Sequence, residues 1–139
     1  MVYLSSALYV SQDVDLVGDR TAIETVLRRW GFREVEGRSR RRYWMDESVG
    51  LVDLVGSADR SGLPPRKLAT PYGPVTVGPP EPLIIRRLMR AEREDSASLF
   101  DQAVALARMG GLDWEYLESE ARYEKVEPLL KRLRKSLGL

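Results

Sequence analysis

Five residues, Asp-Val-Asp-Leu-Val at positions 13–17, set the architecture expected for the first half of this chain. Acidic and apolar side chains alternate here as in a half-buried β-strand, which puts Asp13 and Asp15 on the same face. A third acid, Asp53, stands within a second apolar stretch, Leu51–Val55. If the two stretches pair as neighbouring strands, three carboxylates converge and repel one another unless a cation is shared. We therefore expect a hard divalent ion, Mg²⁺ or Mn²⁺, as the shared ligand.

A second interpretation of these acids stays open. In most proteins an Asp-x-Asp pair is a solvated strand end or turn. Asp53 can likewise lie on the solvent-exposed face of an antiparallel strand. However, the pair begins an apolar strand that a helical pattern follows directly, and Asp53 has Leu and Val on both sides. An acidic residue between apolar residues is poorly explained by packing alone. This favours the metal site.

The composition restricts the chemistry open to the chain. Its 139 residues suit one domain with a small helical extension, and 22 basic against 21 acidic residues indicate no general affinity for nucleic acid or membrane. The absence of cysteine excludes disulfides and thiolate sites. The absence of histidine excludes the commonest general base and nearly every zinc site. Any reaction must therefore use carboxylates, arginines, hydroxyls and a metal.

The composition also bears on localisation and source. The longest wholly apolar runs are only a few residues, so we expect a cytoplasmic protein with neither a signal peptide nor a membrane span. Asparagine is absent and arginine far outnumbers lysine. That balance is typical of a thermophile, although coding bias alone produces it as well.

Periodicity in the first half predicts four strands and one helix. Apolar residues at helical spacing over positions 23–30 predict the helix, capped either by Asp19 or by a capping box of Thr21 and Glu24. The three tryptophan residues are expected in the core or at its edge. The predicted strands cover residues 13–17, 32–35, 42–45 and 51–55.

The second half predicts a hairpin and then helices. Residues 67–70 and 75–77 flank the turn Pro71–Pro74. Helices are expected to begin near Pro82, Ser96, Asp113 and Glu127. The predicted fold class is α+β, with a small mixed twisted sheet, packed helices and a C-terminal helical extension. We expect an α+β core over residues 1–78 and a helical part over residues 79–139, together forming one compact unit.

This order of motifs resembles the nucleotidyltransferase fold of the DNA polymerase β superfamily. An Asp-x-Asp-Leu strand precedes a helix, and an acid follows in a later apolar strand. The segment Pro80–Leu88 is similar to one that opens the helical part of small prokaryotic members and of related toxin–antitoxin transferases. The resemblance implies a sheet of the nucleotidyltransferase type and transfer of a nucleotidyl group from a nucleoside triphosphate to a hydroxyl on protein, RNA or a small molecule.

The resemblance also implies roles for residues of this sequence. Asp13 and Asp15 would bind both of two metal ions, and Asp53 would help to activate the acceptor hydroxyl. Independently of the resemblance, a basic cluster between two predicted strands contains Arg40 and Arg42, which would contact a triphosphate or an RNA backbone because guanidinium groups suit phosphates. A solvated turn is the simpler explanation of the same basic cluster.

Departures from the family pattern leave a rival function open. The family places a Gly-Gly or Gly-Ser turn before the Asp-x-Asp, where backbone N–H groups hold the triphosphate. Residues 1–12 contain no glycine, and Ser5 and Ser6 are the nearest substitute. Either the natural start lies upstream of Met1, or the backbone contacts that hold the triphosphate are lost. Relatives also often carry Arg-Asp where this chain has Ser98-Leu99. The rival is a catalytically degenerate binding module of the same fold, such as a component of a toxin–antitoxin type system.

Overall fold

The computed structural model describes residues 13–37, 42–56 and 60–139. These residues form two compact units, one that ends at Gly62 and one that comprises Leu63–Leu139. Five helices and two small sheets make up the described part of the chain. The predicted α+β class and its small mixed sheet are therefore confirmed.

The first unit is a four-stranded sheet with one helix packed on one of its faces. Its elements are β1 (Asp13–Val17), α1 (Arg20–Arg29), β2 (Arg33–Glu36), β3 (Arg42–Asp46) and β4 (Gly50–Gly56). Each strand lies within one residue of its predicted bounds. The strand order is β1-β4-β3-β2, in which β1 and β4 are parallel and the other two pairs are antiparallel.

Asp19 caps helix α1. Its Oδ1 accepts a hydrogen bond from the backbone N–H of Ala22 at 2.7 Å. Thr21 lies inside the first turn, where its carbonyl oxygen accepts from the hydroxyl of Thr25 at 2.7 Å. Of the two predicted caps, Asp19 is therefore confirmed, and the capping box of Thr21 and Glu24 is wrong.

The three tryptophan residues lie in different environments. Trp44 is 2% exposed and belongs to the core, as predicted, and Trp114 is half-buried with the guanidinium of Arg134 5.0 Å from its ring centroid. Trp30 is 70% exposed, so its predicted place in the core or at its edge is wrong. Trp30 is the C-cap of α1, and the chain turns directly after it through Gly31. Its ring therefore lies at the end of the helix, outside the packed face.

The second unit consists of a β-hairpin and four helices. They are β5 (Arg66–Thr70), β6 (Gly73–Val77), α2 (Glu81–Arg93), α3 (Ala97–Ala107), α4 (Trp114–Tyr123) and α5 (Glu127–Ser136). Two predicted caps are confirmed, since Ser96 Oγ accepts from Leu99 N–H at 3.3 Å and Asp113 Oδ1 accepts from Tyr116 N–H at 2.9 Å. Within the described residues, no helix has the length and apolar character needed to cross a membrane.

Glu81, at the start of α2, is buried with 3% of its surface exposed. Its Oε1 accepts the backbone N–H of Asp113 at 2.9 Å and lies 3.8 Å from Nη2 of Arg66. Arg66 also donates from Nη2 to the carbonyl oxygen of Gly111 at 2.8 Å. The second carboxylate oxygen, Oε2, is buried without a hydrogen-bond partner. This group, which we call the Glu81 cluster (Arg66, Glu81, Gly111 and Asp113), joins β5, α2 and the loop between α3 and α4.

Candidate functional site

Asp15 of β1 and Asp53 of β4 are direct neighbours across the parallel strand pair. Register partners in adjacent parallel strands share one face of the sheet, at a strand spacing of about 4.8 Å. Asp53 is 6% exposed and Asp15 is half-buried. The structure thus brings together two of the three carboxylates that the sequence singled out.

The apolar residues between the acids determine which face the acids occupy. Val14 and Leu16 of β1 pack around a core cluster that contains Val52 of β4 and Leu27 of α1. Side chains alternate along a strand, so the residues next to this cluster in sequence point to the opposite face. Packing of α1 on one side of the sheet therefore sets Asp15 and Asp53 on the other.

Gly18 connects β1 directly to α1. Its φ of 154° is one that residues with a side chain rarely adopt, and an added Cβ would lie 3.1 Å from Cδ1 of Ile23. The N–H of Gly18 donates to the carbonyl oxygen of Gly56 at 3.0 Å. This bond joins the carboxyl ends of β1 and β4, the two strands that carry the acids.

Asp13 lies in β1 as the register partner of Leu51. Its side chain is outside what the structure describes. The other predicted phosphate contacts, Ser5, Ser6 and Arg40, also lie outside the described residues. Their predicted roles stay predictions.

Arg42 is not placed with Asp15 and Asp53. It begins β3, and alternation sets it on the same face as Trp44, which packs in the core cluster under α1. Its Nη1 lies 3.2 Å from Oε1 of Glu34 on the neighbouring strand β2. In this structure the Arg42 guanidinium is thus engaged by a carboxylate across the sheet.

The paired carboxylates supply the donor type that a hard divalent cation prefers. Oxygen ligands from aspartate suit Mg²⁺ and Mn²⁺, and a bound cation removes the repulsion between two neighbouring carboxylates. Among the described side chains, no group of three or more acidic, histidine or cysteine residues is placed to hold a metal ion. Asp15 and Asp53 alone make a two-carboxylate site, which a third ligand such as Asp13 would complete.

Two further residues adjoin the acids and were missed by the sequence analysis. Val17 stands two residues after Asp15, and Val55 stands two residues after Asp53. Both valines are exposed, at 49% and 43% respectively. The sequence places each valine two residues after an acid, and the register shift between Leu16 and Val17 then sets Val17 opposite Gly56.

A surface notch of about 220 Å³ lies between α4 and α5, away from these acids in sequence and within the second unit. It is lined by Leu130 and by charged side chains, four of which form two ion pairs. Glu118 lies 2.6 Å from Arg134, and Glu127 lies 3.6 Å from Arg122. Solvated pairs of this kind form an ordinary helix–helix surface, so we assign the notch no ligand.

Comparison of this chain with protein-family models, with curated proteins and with solved structures gives no match.

Proposed function

We propose that this protein is a metal-dependent nucleotidyltransferase, which moves a nucleotidyl group from a nucleoside triphosphate to a hydroxyl acceptor. The observation that carries the proposal is the pairing of Asp15 with Asp53 in register on adjacent parallel strands. Two carboxylates side by side on adjacent strands supply the oxygen donors that a divalent cation prefers. The resemblance of the motif order to the DNA polymerase β superfamily supports the same chemistry.

Asp15 and Asp53, with Asp13, would hold Mg²⁺ or Mn²⁺. A metal ion bound there would stabilise negative charge on the triphosphate and on the acceptor oxygen. The protein itself contributes by fixing the positions of these carboxylates. Asp53 is buried in β4 between packed residues, so its carboxylate is held in place before substrate arrives. We assign Asp53 to orienting the acceptor hydroxyl and Asp15 to holding the triphosphate side of the site.

The first test is calorimetric titration with ATP, GTP, CTP and UTP, in the presence of Mg²⁺ or Mn²⁺ and then with EDTA. We expect binding that needs the metal and that Asp15→Asn abolishes. Asp101→Asn is the matched control, because Asp101 is an exposed aspartate on α3. A well-folded protein that binds no nucleotide, or an Asp15→Asn variant that binds as the unmodified protein does, would refute the proposal.

Metal binding by itself is measured by thermal unfolding. Mn²⁺ is expected to raise the Tm of the unmodified protein, because a ligand that binds only the native state stabilises it. This shift should be lost in Asp15→Asn and kept in Asp101→Asn. An equal shift in both variants would place the bound metal away from the acid pair.

A second candidate function is a binding module of the same fold that performs no chemistry. The observation that favours it is the pairing of Arg42, a predicted phosphate contact, with Glu34 on the face of the sheet opposite the acids. Nucleotide binding without transfer to any hydroxyl acceptor, on protein, RNA or a small molecule, would support it. Metal-dependent release of pyrophosphate from a nucleoside triphosphate would contradict it.

A further inference from the structure

Val17 and Val55 are two exposed apolar residues that follow the two acids in β1 and β4. Val17 follows Asp15 by two residues in β1, and Val55 follows Asp53 by two residues in β4. The register of the two strands shifts between Leu16 and Val17, at the carboxyl ends of β1 and β4. The valines therefore lie at the ends of neighbouring parallel strands, beyond the acids.

Core packing does not account for this pair. The side chains around the core cluster include Val14, Leu16 and Leu54, and neither Val17 nor Val55 is among them. Val17 lies opposite Gly56 across the register shift, and Val17 and Val55 are 49% and 43% exposed. Single exposed aliphatic residues are common, but two at the ends of the adjacent strands that carry the acids would set an apolar surface next to the proposed metal site.

We propose that Val17 and Val55 form a shelf that contacts the base of the bound nucleotide, an inference that rests on the proposed transferase function. Ligands of open sheets lie at the carboxyl ends of parallel strands, and sites are commonly apolar surfaces with a few polar groups. Here the acids provide the polar groups for the phosphates, and the valines provide the apolar surface for a flat ring.

The shelf also determines which nucleotides bind well. Valine side chains offer no hydrogen-bond donor or acceptor, so they respond to the area of the ring and not to the groups on its edge. Purine rings cover more apolar surface than pyrimidine rings. The site accordingly takes purine nucleoside triphosphates more tightly than pyrimidine ones and does not discriminate between ATP and GTP through the shelf.

The test compares ATP with inorganic tripolyphosphate, which has the phosphates and no base. The variants are Val17→Thr, Val55→Thr and the double variant, since threonine keeps the shape of valine and suits a strand. Val49→Thr is the control, because Val49 is 53% exposed in the turn between β3 and β4. With Mn²⁺, the double variant should weaken ATP binding about tenfold and leave tripolyphosphate binding unchanged.

Two results would overturn the shelf. ATP binding that is unchanged in the double variant would show that the valines contact nothing in the complex. Equal weakening of ATP and tripolyphosphate would show that the substitutions act on the acids instead. A Val49→Thr variant that loses ATP affinity as the double variant does would equally refute an effect specific to the shelf.

A metal-free measurement separates failure of the shelf from failure of the transferase proposal. Adenosine is titrated into protein with ¹³C-labelled valine methyl groups, without metal or phosphate. We expect shifts of the Val17 and Val55 methyl signals and none of Val49. Shifts without any metal-dependent triphosphate binding would refute the transferase and retain the base shelf. The opposite result is tripolyphosphate binding that Asp15→Asn abolishes, together with Val17 and Val55 methyl signals that do not shift. It would refute the shelf and retain the metal site.

Discussion

Asp46 organises the turn that leads from β3 into β4. Its Oδ1 accepts from the hydroxyl of Ser48 and from the backbone N–H groups of Ser48 at 2.9 Å and Val49 at 3.2 Å. The turn sets the register of the two strands, in which Trp44 lies opposite Val52. A shift of one residue would exchange the two faces of β4 and move Asp53 away from Asp15.

The hydrogen bond from the Ser48 hydroxyl, with the backbone bonds from Ser48 and Val49, holds the pKa of Asp46 below its usual value. The stabilisation from this carboxylate is therefore full at neutral pH and is lost as the pH falls through the lowered pKa. Ser48→Ala removes the hydroxyl and should raise the pKa of Asp46 toward its usual value. Carboxyl titration by NMR checks this.

Glu94 provides the internal control for that titration. A hydrogen bond from Arg90 lowers the pKa of Glu94, and Ser48 takes no part in it. The pKa of Glu94 should therefore be the same with and without Ser48→Ala. If Asp46 titrates unchanged in the variant, the backbone N–H bonds alone hold its carboxylate.

Among the elements, α1 matters most to the site because it selects the face that the acids occupy. The helix begins directly after Gly18 and is capped by Asp19. Its first turn contains no acidic residue, so this cap is its main electrostatic support at the N-terminus. At the other end Arg28 lies 5.1 Å above the ring of Trp44 and helps to cover the core.

The cap assignment leads to a prediction for the stability of α1. Asp19→Ala removes the acceptor for Ala22 N–H and should lower the free energy of unfolding by about 1 kcal/mol. Thr21→Ala should change it by less than about 0.5 kcal/mol, since Thr21 is an exposed residue within the helix. Urea unfolding of both variants measures the difference. Equal effects, or a larger effect at Thr21, would contradict the assignment of Asp19 as the cap.

At the level of the whole molecule, the Glu81 cluster joins distant parts of the second unit. Arg66 comes from the hairpin, Glu81 from the start of α2, and Gly111 and Asp113 from the loop before α4. An isolated two-stranded hairpin is marginally stable, so its connection to the helices matters. A buried carboxylate that loses its partners is strongly destabilising, which makes this cluster a sensitive point of the unit.

A double-mutant cycle measures this connection. Arg66→Met removes both hydrogen-bonding and charge, while Glu81→Gln keeps an acceptor for Asp113 N–H. Each single variant should lower the free energy of unfolding by about 2 kcal/mol, and the double variant by less than their sum. Arg90→Met, which breaks the exposed pair with Glu94, should change it by less than about 1 kcal/mol. Strict additivity would show that Arg66 and Glu81 act independently.

Local signals explain why the helix and strand positions could be predicted. Strand β1 matches its prediction residue for residue, and Ser96 and Asp113 cap the helices they were expected to cap. Such features depend on a few neighbouring residues. Trp30 was misplaced because helical spacing shows which side of a helix a residue lies on and not whether a sheet extends far enough to cover it.

The sequence by itself determined the elements, the alternation within each strand and the candidate acids. Only the tertiary structure decided that β4 lies beside β1, so that Asp15 meets Asp53, and that Arg42 faces Glu34 on the other side of the sheet. It alone also revealed that Glu81 is buried. The physical reason is that alternation relates residues within one strand, whereas strand neighbours and burial depend on packing between segments far apart in the chain.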